Sequence, residues 1–367
     1  MEFSGFNLTG EKIMLSRASK LQRPINGTLE LLPLCNMKCE MCYVRLSRSE
    51  TEKKGGLHCV DEWIRLGREM QKAGVLFLLL TGGEPLMFPD FKRLYTGLKQ
   101  MGMVLTINTN GTLLNEEWAK FFEENKPRRI NITLYGADDR AYENLCHYPG
   151  GFEKAICGIR LLKEYGIDVK INGSVTKNNL NDMQRIYEIG RAFDVPVHMD
   201  TYMLPGIHER GLPFEQQSRL APEQAAAAEL EAVKTEMTPE LFLRYAEQKI
   251  AQLENSSLRC PNGITCMAGN CSFSVNWQGK MCPCVTLEEP SVPVFETGFE
   301  AAWEQVSKES KLLKGNEKCT KCYLRPVCKT CVASAWLETG VYNGIPEYLC
   351  RFAREYQKLL YEAARRI

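Results

Sequence analysis

Three cysteines near the start of the chain, Cys35, Cys39 and Cys42, have the spacing of a metal-binding loop. Thiolates are soft ligands that suit iron–sulfur clusters, and three of them on a four-iron cube leave one iron open. An open coordination position distinguishes a metal site that binds a substrate from one that only stabilises a fold. A zinc knuckle is the alternative, although structural zinc normally takes four protein ligands. The triplet therefore predicts a reactive iron–sulfur site.

The composition limits what kind of protein this can be. The N-terminal segment has no basic stretch followed by an apolar one, so no secretion signal is predicted and a cytoplasmic location is expected. In that reducing compartment, 16 cysteines are better explained by metal or redox chemistry than by disulfides. A net charge of +1 favours neither nucleic acid nor a membrane surface as a partner. No apolar run approaches the roughly 18 residues of a membrane span.

Short β-rich runs alternate with amphipathic helical patterns from about residue 28 onwards, which predicts an α/β fold with a parallel sheet. The predicted strands are Thr28–Leu34, Val75–Thr81, Val104–Asn108, Arg129–Leu134, Val169–Val175 and Val195–Asp200. The predicted helices between them are Asp61–Ala73, Phe91–Met101, Asn115–Glu124, Phe152–Tyr165 and Met183–Phe193. Six strand–helix units of this kind form either an open sheet or a partial barrel.

The second predicted strand is followed by Gly82-Gly83-Glu84-Pro85. Two glycines let the backbone approach a ligand closely, and the Glu84 carboxylate is available to a cation. Taken alone, the segment could equally be an ordinary turn. Further polar residues stand on or after the later strands, where each could contact a ligand or simply end its strand: Asn108, Asn110, Thr133, Asn172 and Ser174.

The cysteine triplet after the first strand and the Gly-Gly-Glu-Pro segment after the second resemble the radical S-adenosylmethionine (SAM) superfamily, whose cluster signature is C-x3-C-x-aromatic-C. Met41 stands where an aromatic residue is usual, and Tyr43 comes two places later. The resemblance implies a partial (β/α)6 TIM-type barrel with a [4Fe–4S] cluster on the triplet and SAM bound to it. It assigns the amino group of SAM to residues 82–85, and further SAM contacts to the five polar residues named above.

Eight further cysteines lie towards the C-terminus and resemble the SPASM extension of peptide-modifying radical SAM enzymes. This resemblance implies two auxiliary [4Fe–4S] clusters, and therefore three clusters in all. Carried over by position, the first auxiliary cluster takes Cys260, Cys266, Cys284 and Cys331, and the second takes Cys319, Cys322, Cys328 and Cys350. The interval from Cys328 to Cys331 is one residue shorter than is usual. By spacing alone, Cys319, Cys322, Cys328 and Cys331 could equally form a four-thiolate zinc site.

These patterns divide the chain into five expected parts. They are an N-terminal extension over 1–27, a radical SAM core over 28–204, a loop and helical connector over 205–258, a small Cys-rich iron–sulfur domain over 259–350, and a C-terminal helix over 351–367. A helical stretch rich in Ala and Glu is predicted in the connector, over about Pro222–Glu254, and the last helix is predicted over Glu347–Arg366. The Cys-rich part shows few periodic elements, so we expect it to depend on metal for folding.

The resemblance also implies a reaction. Reductive cleavage of SAM gives a 5′-deoxyadenosyl radical, which abstracts hydrogen from a residue of a peptide or protein. The leading expectation is a thioether or carbon–carbon cross-link, made during maturation of a ribosomally synthesised peptide (RiPP). Asp200 and Tyr202, at the end of the sixth strand, are candidates for contact with the substrate. The partners implied are a peptide or protein substrate and an electron donor such as flavodoxin or ferredoxin. Since about 27 residues precede the first strand, too few for a leader-binding domain, the expected alternatives are a separate leader-recognition protein, a substrate that needs none, or leader contacts from residues 205–258.

Three alternatives stay open. Anaerobic sulfatase-type maturases resemble the chain in their cysteine array, but they carry an aspartate directly after the third array cysteine, where Val285 follows Cys284 here. A peptide epimerase needs a thiol to return hydrogen to its substrate; Cys146 is a candidate, although a structural buried thiol fits it equally. A non-catalytic iron–sulfur electron-transfer or metal-binding protein explains the cysteines, but it needs neither the open triplet nor the Gly-Gly-Glu-Pro segment.

Overall fold

The structure is a computed structural model that describes residues 9–255 and 260–365. Its strands are β1 Asn26–Glu30, β2 Phe77–Thr81, β3 Val104–Thr109, β4 Arg129–Leu134, β5 Val169–Ser174, β6 Val197–Asp200, β7 Ser272–Val275, β8 Lys280–Cys282 and β9 Val292–Pro293. They form one sheet in the order β6-β5-β4-β3-β2-β1-β7-β8-β9. Strands β1 to β6 are parallel and do not close on themselves, so the predicted partial barrel is confirmed.

Helices cover this sheet and its extension. They are α1 Thr9–Leu21, α2 Arg48–Lys53, α3 Val60–Ala73, α4 Phe91–Gln100, α5 Glu116–Glu124, α6 Asp139–Cys146, α7 Gly151–Glu164, α8 Met183–Ala192, α9 Pro222–Thr235, α10 Pro239–Glu254, α11 Val294–Thr297, α12 Phe299–Ser310, α13 Glu317–Thr320, α14 Val332–Thr339 and α15 Glu347–Ala364. The five helices predicted between the strands form as α3, α4, α5, α7 and α8. Across the described ranges, no helix is long and apolar enough to cross a bilayer.

The first strand is displaced from its prediction. It was expected over Thr28–Leu34, but β1 ends at Glu30 because its partner β2 ends at the opposite residue, Thr81. The Leu31 N–H still donates to the Thr81 carbonyl at 2.9 Å, and beyond that point both chains turn away. The remaining apolar residues of the prediction therefore belong to the loop that carries the cysteine triplet.

The helical stretch predicted over Pro222–Glu254 forms with the same outer bounds, but it is divided into two helices, α9 and α10. The Thr238 hydroxyl accepts a hydrogen bond from the Leu241 N–H at 3.4 Å and so caps the start of α10. Pro239 then occupies the first helical position, where its missing N–H costs nothing, but it cannot continue the preceding helix. Residues 1–8, 256–259 and 366–367, with Arg366 of the predicted last helix, lie outside the described residues.

The Cys-rich part, whose sequence shows few periodic elements, contributes a strand to the main sheet. Its strand β7 pairs in parallel with β1, from Asn26 opposite Ser272 to Leu29 opposite Val275, and so extends the main sheet. Without β7, β1 would be an exposed edge with unpaired backbone groups. Phe273 of β7 packs edge-on against Phe299 of α12, with 5.0 Å between the ring centres. The pairing of β7 with β1 thus joins the Cys-rich part to the barrel, and the contact between Phe273 and Phe299 holds β7 and α12 of that part together.

The two faces of the parallel sheet differ in polarity. Ile130, Ile132 and Leu134 of β4 have 0% exposure and pack under the helices. The alternate residues Arg129 and Asn131 line a cavity of about 260 Å³ on the concave side. The concave side is therefore the polar one, and its carboxyl-terminal rim is where barrel enzymes place their active sites.

The open edge of the barrel is covered by α9. Glu236, which follows α9, accepts hydrogen bonds from the Met199 N–H of the edge strand β6 at 3.2 Å and from the Tyr187 hydroxyl at 2.8 Å. Hydrogen bonds to Asp200 and Glu236 raise the pKa of His198 to about 9. At neutral pH an imidazolium therefore lies between two carboxylates, and this charged group ties α9 to β6.

A buried ion pair joins the connector to the Cys-rich part. Arg219 pairs with Glu338 of α14, and only 2% of the Arg219 side chain is exposed. Its guanidinium lies 4.4 Å from the centre of the Tyr348 ring. Removing one member of a buried pair leaves the other charge without compensation.

We therefore expect Arg219→Met to lower the free energy of unfolding by about 3–5 kcal/mol. The matched control is Arg210→Met, because the partner of Arg210, Glu288, is 63% exposed. Loss of that exposed pair should cost about 1 kcal/mol or less. Urea unfolding under anaerobic conditions measures both, and equal losses would contradict the structural role given to Arg219.

Candidate functional site

The loop carrying Cys35, Cys39 and Cys42 lies at the carboxyl ends of β1 and β2. It is held there by backbone hydrogen bonds to the Gly-Gly-Glu-Pro segment. The Gly83 N–H donates to the Leu32 carbonyl at 2.7 Å, and the Glu84 N–H donates to the Leu34 carbonyl at 2.9 Å. The two segments singled out in the sequence are therefore in direct contact.

The glycines of that segment are required by this contact. A Cβ on Gly83 would lie 2.2 Å from the Leu34 carbonyl oxygen, and one on Gly82 would lie 2.4 Å from that of Leu32. Gly82 also has a φ of 142°, which other residues rarely adopt. Sequence reasoning assigned the glycines to close approach of a ligand, whereas the structure shows that the cysteine loop itself makes that approach.

The triplet thiols lie near one another in a partly buried environment. Burial, with additions from Glu84, Cys39 and Cys42, raises the pKa of the Cys35 thiol to about 12. Burial and the neighbouring Cys39 also raise the pKa of Cys42. Thiolates persist in such surroundings only beside strong positive charge, which bound iron provides. The donor set therefore fits an iron–sulfur cluster held by three thiolates.

Glu84 is a fully buried carboxylate beside this loop. One oxygen accepts hydrogen bonds from the Thr109 hydroxyl at 2.7 Å and the Leu86 N–H at 3.1 Å, and the other accepts from the Asn110 N–H at 2.8 Å. Burial outweighs these bonds and raises the pKa of Glu84 to about 7. A carboxylate desolvated to this extent is suited to receive an ammonium group.

Glu84→Gln should weaken SAM binding by about 10- to 100-fold at pH 8, because a hydrogen bond to a charged group is lost. Since an ammonium ligand favours the ionised carboxylate, wild-type affinity should fall by about tenfold per pH unit below about pH 7. The glutamine variant should show no such dependence. Equilibrium dialysis of anaerobically reconstituted protein measures this, with Glu117→Gln as the exposed control. Identical pH profiles would contradict the role of Glu84.

An amide network connects Glu84 to the cysteine loop. The Asn110 side-chain amide donates to Asn36 Oδ1 at 2.8 Å and approaches Cys35 Sγ at 3.7 Å. Asn36 in turn donates to the Thr112 hydroxyl at 2.9 Å. Asn110 is a predicted site residue, whereas Asn36 and Thr112 are not. The position of Asn36 inside the triplet was the available signal for it.

The other predicted SAM contacts line the concave side of the strands. Asn108 accepts a hydrogen bond from the Asn131 amide at 2.7 Å. Thr133 stands opposite Asn172 across β4 and β5, and Ser174 stands opposite Asp200 across β5 and β6. The structure thus places these residues along the carboxyl-terminal rim, and their contact with SAM remains a prediction.

Cys146 lies at the end of α6, with 0% exposure. Its thiol hydrogen-bonds Cys39 and is the main cause of a lowered Cys39 pKa. Its carbonyl accepts a hydrogen bond from the Lys38 N–H at 2.9 Å. The end of α6 therefore supports the cysteine loop, and hydrogen donation by Cys146 remains a prediction.

Asp200 and Tyr202 both have protein partners. Asp200 lies 3.7 Å from His198, and the Tyr202 hydroxyl donates to Glu338 at 3.1 Å. These contacts tie Asp200 to the barrel edge and Tyr202 to the Cys-rich part. A role for either residue in substrate contact remains a prediction.

Part of the connector covers the triplet. The Ile207 N–H donates to the Cys42 carbonyl at 2.9 Å, and His208 Nε2 lies 3.0 Å from the Arg45 carbonyl. Residues 206–208 therefore shield one side of the cysteine loop from solvent.

Met41, which stands where the family signature has an aromatic residue, is 5% exposed and packs in the core.

Four of the C-terminal cysteines line one small cavity of about 30 Å³. They are Cys319, Cys322, Cys328 and Cys350. Burial, with Cys350 and Cys319 contributing, raises the pKa of the Cys328 thiol to about 11. This is the set that the resemblance assigns to the second auxiliary cluster.

Cys331 lies near Cys266, a cysteine that does not line the cavity of Cys328. Burial raises the pKa of the Cys266 thiol, and nearby Cys284 and Cys331 add to that rise. The Cys260 N–H donates to the Thr320 carbonyl at 3.1 Å. In the part of the chain that the structure describes, no three Cys, His, Asp or Glu side chains gather tightly enough to hold a single metal ion. Cys331 thus has Cys266 and Cys284 as neighbours, and the ligand roles of all eight cysteines remain predictions.

Comparison with known proteins agrees with this geometry. Residues 29–189 match the model of the radical SAM superfamily. An AdoMet-dependent heme synthase of Methanosarcina barkeri is 26% identical over 85% of this chain and 92% of its own length. A cysteine-type anaerobic sulfatase-maturating enzyme of Clostridium novyi is 24% identical over 81% and 84%. A PqqA peptide cyclase of Rhodopseudomonas palustris is 23% identical over 72% and 68%.

Solved structures share the fold. Native anSMEcpe with bound AdoMet superposes with a TM-score of 0.69 at 20% identity, covering 94% of this chain and 100% of that one. Streptococcus suis SuiB bound to its precursor peptide SuiA gives a TM-score of 0.67 at 16% identity, covering 94% and 82%. The match to the superfamily model thus concerns residues 29–189 of the chain, and radical SAM domains as a class carry SAM and a [4Fe–4S] cluster. The chain's relatives include peptide modifiers and heme synthases.

Proposed function

We propose that this protein is a radical SAM enzyme that modifies a peptide, with a thioether or carbon–carbon cross-link as the product. The observation that carries the proposal is the contact of the open cysteine triplet with the Gly82-Gly83-Glu84-Pro85 segment. When bound, SAM and its cluster supply a 5′-deoxyadenosyl radical that abstracts hydrogen. In this arrangement Cys35, Cys39 and Cys42 hold the cluster.

The chain's own groups would orient SAM and keep water away. Glu84 receives the amino group of SAM, and the bond from the Asn110 N–H fixes the position of its carboxylate. Asn36 and Asn110 keep the loop in register with β3. Residues 206–208 cover the loop from outside, which protects a reactive species from solvent. These residues bind SAM, orient it and shield it from water, and the radical reaction itself is supplied by the cofactor.

The C-terminal cysteines support a three-cluster enzyme. We propose that Cys260, Cys266, Cys284 and Cys331 hold one auxiliary [4Fe–4S] cluster, and that Cys319, Cys322, Cys328 and Cys350 hold the other. Auxiliary clusters suit reactions that must lose a further electron, such as cross-link formation. All 16 cysteines are free thiols in the structure, and this also favours a cytoplasmic location for the protein.

The peptide substrate is supported by relatives named as a PqqA peptide cyclase and by a shared fold with SuiB bound to SuiA. Sulfatase-type maturation is less favoured because Val285 stands where those enzymes carry an aspartate. Epimerisation would need Cys146 to reach substrate, and that thiol is buried against Cys39. A non-catalytic iron–sulfur protein would not need the Glu84 site.

Heme synthesis is the second candidate, because the heme synthase of M. barkeri matches over 92% of its length. Such an enzyme would act on an iron porphyrin. The two candidates share the radical and differ in what the concave side must hold, a peptide chain or a flat macrocycle. The test must therefore separate radical formation from substrate choice.

Protein reconstituted with iron and sulfide would be incubated anaerobically with SAM and dithionite. Formation of 5′-deoxyadenosine is expected, and its absence with intact clusters would contradict the radical SAM proposal. Synthetic peptides encoded beside the gene are then compared with an iron porphyrin. A peptide lighter by two hydrogens supports cross-linking, whereas a mass that is unchanged in H2O but gains one deuterium at an α-carbon in D2O supports epimerisation. Turnover of the porphyrin alone would overturn the peptide assignment.

A further inference from the structure

A side cavity of about 430 Å³ lies where the Cys-rich part meets the open edge of the barrel. Its walls come from β6, α9, α10, α15 and residues 326–329. Asp200 lines the cavity from the end of β6, so the cavity reaches the carboxyl-terminal rim, where barrel enzymes place their active sites. Ligand pockets commonly have volumes of this size. The charged residues of the side cavity are His198, Asp200, Glu229, Glu236, Lys249 and Lys329.

Two of the three carboxylates in the side cavity already have partners within the protein. Glu229 lies 2.7 Å from the Lys329 ammonium and accepts a hydrogen bond from the Thr201 hydroxyl at 2.7 Å. Glu236 lies 3.3 Å from the His198 imidazolium. The charges of these two carboxylates are therefore compensated, and they leave room for an anion elsewhere in the cavity.

Lys249 is the cation of the side cavity that has no carboxylate of its own. Its ammonium donates to the Pro326 carbonyl at 2.7 Å, and within residues 9–255 and 260–365 no carboxylate forms an ion pair with it. Burial lowers the pKa of Lys249, and no charged neighbour adds to that shift. A half-buried ammonium that has lost water without gaining a counter-ion favours the binding of an anion.

Asp200 presents an acceptor on a different wall of the side cavity. Its side chain is 61% exposed and lies 3.7 Å from His198, so its carboxylate stays accessible to a donor. An acidic residue within a peptide carries both matching groups, a side-chain carboxylate for Lys249 and a backbone N–H for Asp200. A propionate of a porphyrin carries only the first. The two residues together therefore favour a peptide over a porphyrin.

We propose that the side cavity binds an acidic residue of the peptide substrate, with the Lys249 ammonium as counter-ion of its carboxylate and Asp200 as acceptor for its backbone N–H. The Pro326 carbonyl holds the ammonium in place for this contact. The contact is a charge-assisted hydrogen bond, and no covalent bond forms or breaks in it. This inference rests on the proposed function, because it takes the occupant to be the peptide substrate.

The binding test uses two tripeptides, acetyl-Ala-Glu-Ala-amide and its glutamine counterpart, with the reconstituted full chain. Lys249→Met removes the ammonium but keeps the apolar stem, and the matched control, Arg244→Met, removes an exposed charge from the same helix. Anaerobic calorimetry should show that wild-type protein prefers the acidic tripeptide about tenfold, because a hydrogen bond between charged groups is gained. The Lys249 variant should lose this preference, and the control should keep it. A wild-type protein without the preference, or a Lys249 variant that retains it, would overturn the site.

Chemical labelling locates the bound tripeptide. Acetic anhydride modifies free amines, and mass spectrometry of the digested protein measures the rate at each lysine. At about ten times its dissociation constant, the acidic tripeptide should slow the labelling of Lys249 about tenfold and leave exposed Lys72 unchanged. The glutamine tripeptide at the same concentration should protect Lys249 much less. Equal protection of Lys249 by both tripeptides, or by neither, would contradict its role as counter-ion.

Iron coproporphyrin III, which carries propionate groups, is the third probe. If it binds more tightly than the acidic tripeptide and loses that affinity in Lys249→Met, the peptide is not the occupant. Weaker binding of the porphyrin supports the peptide. Neither binding nor labelling needs cleavage of SAM. If wild-type protein forms no 5′-deoxyadenosine, the proposed function fails, and these two measurements still decide the carboxylate site.

Discussion

Replacing Cys39 with serine is expected to abolish 5′-deoxyadenosine formation and to lower the iron content from about 12 to about 8 atoms per chain. The loop offers three thiolates and no spare ligand position, since the fourth iron must stay open for SAM. Serine has the shape of cysteine, but its hard oxygen is a poor ligand for this cluster. Iron analysis and chromatography of the reaction mixture measure the two effects.

The control for this experiment is Cys157→Ser. Cys157 is exposed on α7 and belongs to neither the triplet nor the C-terminal cysteine groups. It should keep full iron content and full activity. If the Cys39 variant still cleaves SAM, the triplet does not form the reactive site, and the assignment of the whole loop falls.

Two double variants test which cysteines share a cluster. Cys266→Ser/Cys331→Ser removes two thiols from one proposed group and should leave about 8 irons. Cys328→Ser/Cys331→Ser removes one thiol from each group and should leave about 4 irons, because both auxiliary clusters lose a ligand. The reason is spatial, because Cys328 lines the cavity shared with Cys350, whereas Cys331 lies near Cys266.

The pairs are matched, since each removes two cysteines and shares Cys331. Iron and sulfide analysis, with electron paramagnetic resonance of the reduced proteins, counts the clusters that remain. Circular dichroism checks that both variants fold. If Cys328 and Cys331 served one site, as a four-thiolate zinc centre would require, the Cys328/Cys331 variant would lose that single site and no other. That result, or zinc in place of iron, would contradict the interleaved assignment.

Much of the barrel follows from local sequence patterns. Strand β4 and helix α4 form where alternation and helical periodicity predict them, because their buried faces are set by neighbouring residues in the chain. The break between α9 and α10 was also available locally, at Thr238-Pro239, although helical composition on both sides concealed it. The pairing of β7 with β1 was not available, because it joins residues far apart in the chain.

The residue types and spacing of Cys35, Cys39 and Cys42 were enough to predict a thiolate site, since three thiols on one short loop lie near one another wherever the loop is placed. The sequence also placed Glu84 beside two glycines. The role of those glycines became visible only in the fold, because the carbonyls of Leu32 and Leu34, in the loop after β1, approach them closely. Packing likewise brings Cys331 near Cys266 and places Cys328 in the cavity that Cys350 lines, because proximity between distant segments depends on packing and not on spacing. The local sequence determines which side chains can act as ligands, and the packing of remote segments determines which of those side chains lie together.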